Sequence, residues 1–124
     1  MRAVLDTDVL IDLLKGFPAA KVLFQRVTSS ELFCSAITVT ELWAGGGPEN
    51  AGGIHDLLAE VHIVPVDQNL ARHAGQYKWR FAKSHSVSVP DAIIAATAYT
   101  VRAPLLTRNM KHFPMDDIQI VKPY

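Results

Sequence analysis

The apolar run Val4-Leu5 breaks into acid, hydroxyl and acid at Asp6-Thr7-Asp8, after which Val9, Leu10, Leu13 and Leu14 recur at helical spacing. In open α/β sheets, ligands bind beyond the carboxyl ends of the strands, and Asp6 stands at such an end. Two more acids open apolar segments: Glu41 in Thr38-Val39-Thr40-Glu41-Leu42-Trp43, and Asp91 in Ser88-Val89-Pro90-Asp91-Ala92-Ile93. Taken singly, each reads as a helix cap. Asp6-Thr7 supplies ordinary N-cap residues, Thr38-x-x-Glu41 is a capping box, and Ser88 can cap a helix whose third residue is Asp91. An acid in a first turn also gains roughly 0.3–1 kcal/mol from the helix dipole. Taken together they read differently. Two carboxylates about 4 Å apart repel by roughly 4 kcal/mol at an effective dielectric of about 20, so three in one crevice need a counterion. Oxygen donors without histidine or cysteine suit Mg2+ or Mn2+. Such an ion activates water and stabilises charge on a phosphate, which points to phosphodiester hydrolysis.

Convergence depends on the elements that carry these residues. Arg2 to Leu5, Leu32 to Ile37, His62 to Val66, Pro104 to Thr107 and Ile118 to Val121 read as short strands, with Pro65 placing the third at an edge or strand end. Between them run helical patterns: the one after Asp6, then Ala19 to Val27, Thr38 to Ala44, about Glu49 to Glu60, a longer one capped by Asp67, and an Ala-rich one from Pro90 through Tyr99. Asn109 to Pro114 reads as a loop. Alternating strands and helices predict βαβ units and a mainly parallel sheet covered on both faces, an α/β fold. Asp6, Glu41, Asp91 and Asn109 each fall just beyond a strand or at a helix start, so all four can meet at one edge of the sheet.

The chain of 124 residues predicts one domain spanning 1–124, and an apolar share of 49% argues against disorder. Its 12 Lys and Arg balance 12 Asp and Glu, so net charge points neither toward nor away from nucleic acid. Cys34 lies in an apolar run and reads as a buried small hydrophobe rather than a reactive thiol. The apolar stretch before Asp6 is too short for a signal peptide, and Ala92 to Val101 is about half of a membrane span. The expectation is a soluble cytoplasmic protein with no membrane partner.

Four blocks stand in order: Val4-Leu5-Asp6-Thr7-Asp8-Val9-Leu10, Ile37-Thr38-Val39-Thr40-Glu41-Leu42, Pro90-Asp91-Ala92-Ile93-Ile94-Ala95-Ala96-Thr97-Ala98 and Leu106-Thr107-Arg108-Asn109-Met110-Lys111-His112-Phe113. In this order and over nearly the whole chain, the sequence resembles the PIN-domain family, and within it the compact VapC-type toxins of toxin–antitoxin pairs. The resemblance implies a three-layer α/β/α fold and an Mg2+- or Mn2+-dependent endoribonuclease. It also implies a cognate VapB-type antitoxin that blocks the site, and a homodimer. It places Asp6, Glu41 and Asp91 at the family's catalytic and metal positions and Asn109 at the fourth metal position, where many relatives have aspartate. Thr107 matches a supporting hydroxyl. His112 stands where acids are frequent, so one tightly held ion is expected, with any second arriving alongside the substrate. The alternatives are a PIN nuclease of RNA processing, or a non-catalytic RNA- or protein-binding module whose acids only cap helices.

The five histidines show no close metal-ligand spacing and read as surface or helix-end residues. Asp8 and Asp12, one helical turn apart, read mainly as a solvated face with Lys15, with a smaller share for Asp8 at the rim of the site. Gly45-Gly46-Gly47 lacks the lysine of a phosphate loop and reads as a helix stop. Arg72, Gln76, Trp79, Arg80 and Lys83 gather on the polar face of the Asp67-capped helix, a surface suited equally to RNA, antitoxin or a second subunit.

Overall fold

The computed structural model describes residues 2–27 and 31–124. Five short strands form one parallel sheet: β1 (Ala3–Leu5), β2 (Leu32–Ser35), β3 (His62–Val64), β4 (Leu105–Leu106) and β5 (Ile120–Val121). Among the described residues, six helices accompany them: α1 (Thr7–Leu14), α2 (Pro18–Arg26), α3 (Ala36–Gly46), α4 (Ala51–Leu58), α5 (Gln68–Phe81) and α6 (Val89–Val101). Single 3-10 turns cover Pro48–Asn50 and Met110–His112. The expected α/β/α layering holds, with apolar residues buried on both faces of the sheet. On one face α5 and α6 pack through Leu70, Ala74, Tyr77, Ile94, Ala95 and Ala98 onto Val4 and Leu105. On the other, Val9, Leu10, Leu42 and Ile54 of α1, α3 and α4 cover Ala3, Leu5, Cys34 and Leu106.

Strand order is β3-β2-β1-β4-β5. The chain leaves β1 toward β2 and β3 on one side, then crosses to β4 and β5 on the other. The strand order therefore reverses between β1 and β4, which is where doubly wound sheets open a ligand crevice at the carboxyl ends of the strands. Leu5 pairs with Leu106, so Asp6 and Thr107, the next residues of each strand, leave the sheet side by side.

Several boundaries differ from the pattern-based expectation. The second strand ends at Ser35 rather than Ile37, because the Ser35 hydroxyl accepts a hydrogen bond from Ile37 N (3.2 Å) and starts α3 at Ala36. Thr38 is therefore not a cap, and Glu41 lies in the second turn, outside a capping box. The third strand stops at Val64, just before Pro65, and sits at the sheet edge as expected. The last strand is confined to Ile120–Val121, α6 runs from Val89 to Val101, and the loop after Asn109 contains a 3-10 turn. The glycine run ends α3 as expected, with Gly47 at φ +67°. A Cβ on Gly46 would lie 2.7 Å from Ile54 Cδ1, so this glycine also lets α4 approach.

Candidate active site

Asp6 is both a helix cap and the centre of a polar cluster. Its Oδ1 accepts from Thr7 N (2.8 Å), capping α1, while its Oδ2 accepts from the Thr107 hydroxyl (2.7 Å) across the β1–β4 junction. The side chain is held by both oxygens and is only 5% exposed. Burial pushes its carboxyl up to about 7; the neighbouring Asp8 charge, and more weakly that of Asp91, push the same way against the two hydrogen bonds. A carboxyl in this position is short of positive charge.

Glu41 joins the cluster through Thr7, whose hydroxyl donates to Glu41 Oε1 (2.7 Å) and hydrogen-bonds with the buried Thr38 hydroxyl (3.0 Å). Asp91 enters from the opposite layer, in the first turn of α6. There the Ser88 hydroxyl caps Asp91 N (3.2 Å), and the Asp91 carboxylate lies 3.6 Å from His112 Nδ1. Thr107 also accepts from Asn109 N (3.0 Å), and Asn109 Nδ2 donates to Asp8 Oδ2 (3.0 Å). Asp6, Glu41, Thr107 and Asn109 are thus linked by hydrogen bonds, directly or through one intervening side chain. Asp91 is linked to Asp6 by its field alone.

Asp8 and Asp12 do not form a solvated face. Asp8 Oδ2 accepts from Arg108 N (3.0 Å) as well as from Asn109, whereas its Oδ1 is buried and has no hydrogen-bond partner among the described residues. Asp12 is 9% exposed, pairs with Arg108 Nε (2.7 Å) and accepts from the Tyr124 hydroxyl. Tyr124, whose ring lies 5.6 Å from that of Phe17 at a tilt of 37°, and the loop after β4 cover this side of α1. A helical period identifies a face but not what a distant segment lays over it. The only sequence signal for Asp8 was its place two residues after Asp6.

Two other expectations resolve clearly. Cys34 is fully buried, and burial pushes its thiol up to about 12, as suits a packing residue. His73 is a correction: it lies in the middle of α5, between the rings of Tyr77 (4.5 Å) and Tyr99 (4.2 Å), because α6 packs directly over that turn. The helix face at Trp79 is open, with Trp79 85% exposed, while Arg80 lies over the rings of Tyr77 and Phe81.

Among the described residues, no three acidic, histidine or cysteine side chains already stand at mutual coordinating distance. The donor set nevertheless fits a hard cation. Asp6 is buried against like charge, Asp8 has an orphaned buried oxygen, and every carboxylate partner named here except His112 and Arg108 is a neutral hydroxyl or amide. Among the described residues, no helix is long and apolar enough to cross a membrane.

The family model of the PIN domain matches residues 3–115. The Ribonuclease VapC19 of Mycobacterium tuberculosis is 35% identical over 115 residues, covering 90% of this chain and 92% of that protein. The Ribonuclease VapC10 of the same organism is 33% identical, over 98% and 92%. Among solved structures, a toxin–antitoxin complex from Klebsiella pneumoniae contains a similar chain (TM-score 0.83, 30% identity, 98% of each chain). A DNA-bound VapBC from Salmonella typhimurium shares the fold at TM-score 0.87 and 23% identity, over 100% and 99%.

Proposed function

The chain belongs to the PIN-domain family, and on that premise we propose that it is a single-domain endoribonuclease of the VapC type, the toxin of a toxin–antitoxin pair. The observation that carries this reading is the buried Asp6 carboxylate, held by both oxygens at the switch point of the sheet and surrounded by further acids without a matching cation. Asp6, Glu41 and Asp91 would hold a divalent cation, Mg2+ or Mn2+, with Asn109 at the fourth corner. Such an ion, when bound, supplies Lewis acidity to a phosphodiester and lowers the pKa of the attacking water. The protein's own groups set the geometry: Thr107 and the Thr7 N–H fix Asp6, the Thr7 hydroxyl orients Glu41, and His112, when protonated, offsets the charge of Asp91. The similar chain solved in a toxin–antitoxin complex supports a VapB-type antitoxin as partner; location in the cytoplasm and a second copy of this chain as dimer mate belong to the same proposal.

The test is cleavage of a defined RNA pool with Mg2+ or Mn2+, comparing the parent with Asp6→Asn and Asp91→Asn. Several kcal/mol of lost transition-state stabilisation should reduce cleavage by roughly a hundredfold or more in both, with unchanged circular dichroism. Full activity in both variants excludes the mechanism. RNA binding without cleavage or cation affinity in the parent would instead identify a binding module whose acids only cap helices.

A further inference from the structure

The fourth corner of the cluster presents a mismatch between charge and position. Asn109 is neutral, and its side-chain Nδ2 donates to Asp8 Oδ2. The same oxygen accepts the backbone N–H of Arg108, so two donors from the loop after β4 hold one oxygen of Asp8, each at 3.0 Å. The other oxygen, Oδ1, is buried and has no hydrogen-bond partner among the described residues. A buried carboxylate oxygen left unpaired carries its full desolvation cost until a water, an ion or another ligand completes it. Asp8 is tied to the centre of the cluster through Asn109 and Thr107, and it is close enough to Asp6 for its charge to oppose that of Asp6. The basic group on that side, Arg108, is engaged with Asp12 through its guanidinium, and its charge reaches Asp8 as well.

We propose that Asp8 is the anionic group of the fourth corner, with its Oδ1 available to the cation or to a water on it, and that Asn109 is a positioning residue that holds the Asp8 carboxylate. This rests on the cation site proposed above. If the two side chains share one corner, exchanging them keeps both the charge and the hydrogen bond, whereas changing one alone does not.

The experiment is isothermal titration of the full chain with Mn2+, for the parent, Asp8→Asn, Asn109→Asp, the exchange Asp8→Asn/Asn109→Asp, and Asp6→Asn as control. Circular dichroism checks that each variant folds. Removing one charge near a divalent ion should make Asp8→Asn bind roughly tenfold more weakly or worse. The exchange, which keeps both the charge and the hydrogen bond, should return to within about threefold of the parent, a recovery that loss of a merely structural contact would not produce, whereas Asn109→Asp alone loses the hydrogen bond that holds Asp8 and should bind more weakly than the exchange. Parent-like affinity in Asp8→Asn, or an exchange variant as weak as Asp8→Asn, overturns the proposal while leaving the cation site standing. No Mn2+ binding by the parent, or binding untouched by Asp6→Asn, removes the cation site itself and this proposal with it.

Discussion

Asp6 shows how one residue serves structure and chemistry at once. The helix-cap reading and the site reading both hold, because the carboxylate has two oxygens and each took a different partner, Thr7 N and the Thr107 hydroxyl. Its carboxyl is raised from 3.8 to about 7, chiefly by burial, so the folded state favours the protonated form. The unfolded chain releases this proton first. Asp6 therefore contributes its full stabilisation below about pH 3.8, and that contribution falls as pH rises toward 7, at up to about 1.4 kcal/mol per pH unit. In chelator, thermal melts of the parent should lose stability relative to Asp6→Asn between about pH 4 and 7. Parallel melting curves for the two proteins over that window would show that Asp6 is not buried against charge.

At the scale of elements, the start of α3 decides where Glu41 points. Ser35 ends β2 and caps the helix, which sets Glu41 in the second turn beside Thr7. Ser35→Ala should cost about 1 kcal/mol and lower Tm by several degrees, as measured by calorimetry. No change in Tm would mean that the cap does not fix this boundary. The capping-box signature at Thr38-x-x-Glu41 was a true pattern in the wrong frame. Side-chain spacing fits a helix that starts at Ala36 as well as one that starts later, and the choice was made by the end of strand pairing. The covering of Asp12 by Arg108 and Tyr124 was likewise invisible locally, since those partners lie 96 and 112 residues away.

At the scale of the molecule, the cluster joins β1, α3, α6 and the loop after β4, so a cation bound there ties both layers of helices to the sheet. A ligand that binds only the folded state stabilises it by about 2.7 kcal/mol at a hundred times its Kd. Saturating Mn2+ should therefore raise the Tm of the parent near pH 7.5 but not that of Asp6→Asn. An equal rise in both would place the ion elsewhere. The sequence by itself determined the α/β alternation, the parallel sheet, the buried Cys34, and the acids that stand at strand ends and helix starts. These follow from hydrophobic period and local backbone preference, which neighbouring residues set between themselves. Only the tertiary structure decided that strand order reverses between β1 and β4, that Thr107 meets Asp6, and that Asn109 and Arg108 hold Asp8. Those contacts join residues about a hundred positions apart, and no local pattern encodes a partner that the folding of the whole sheet must first bring alongside.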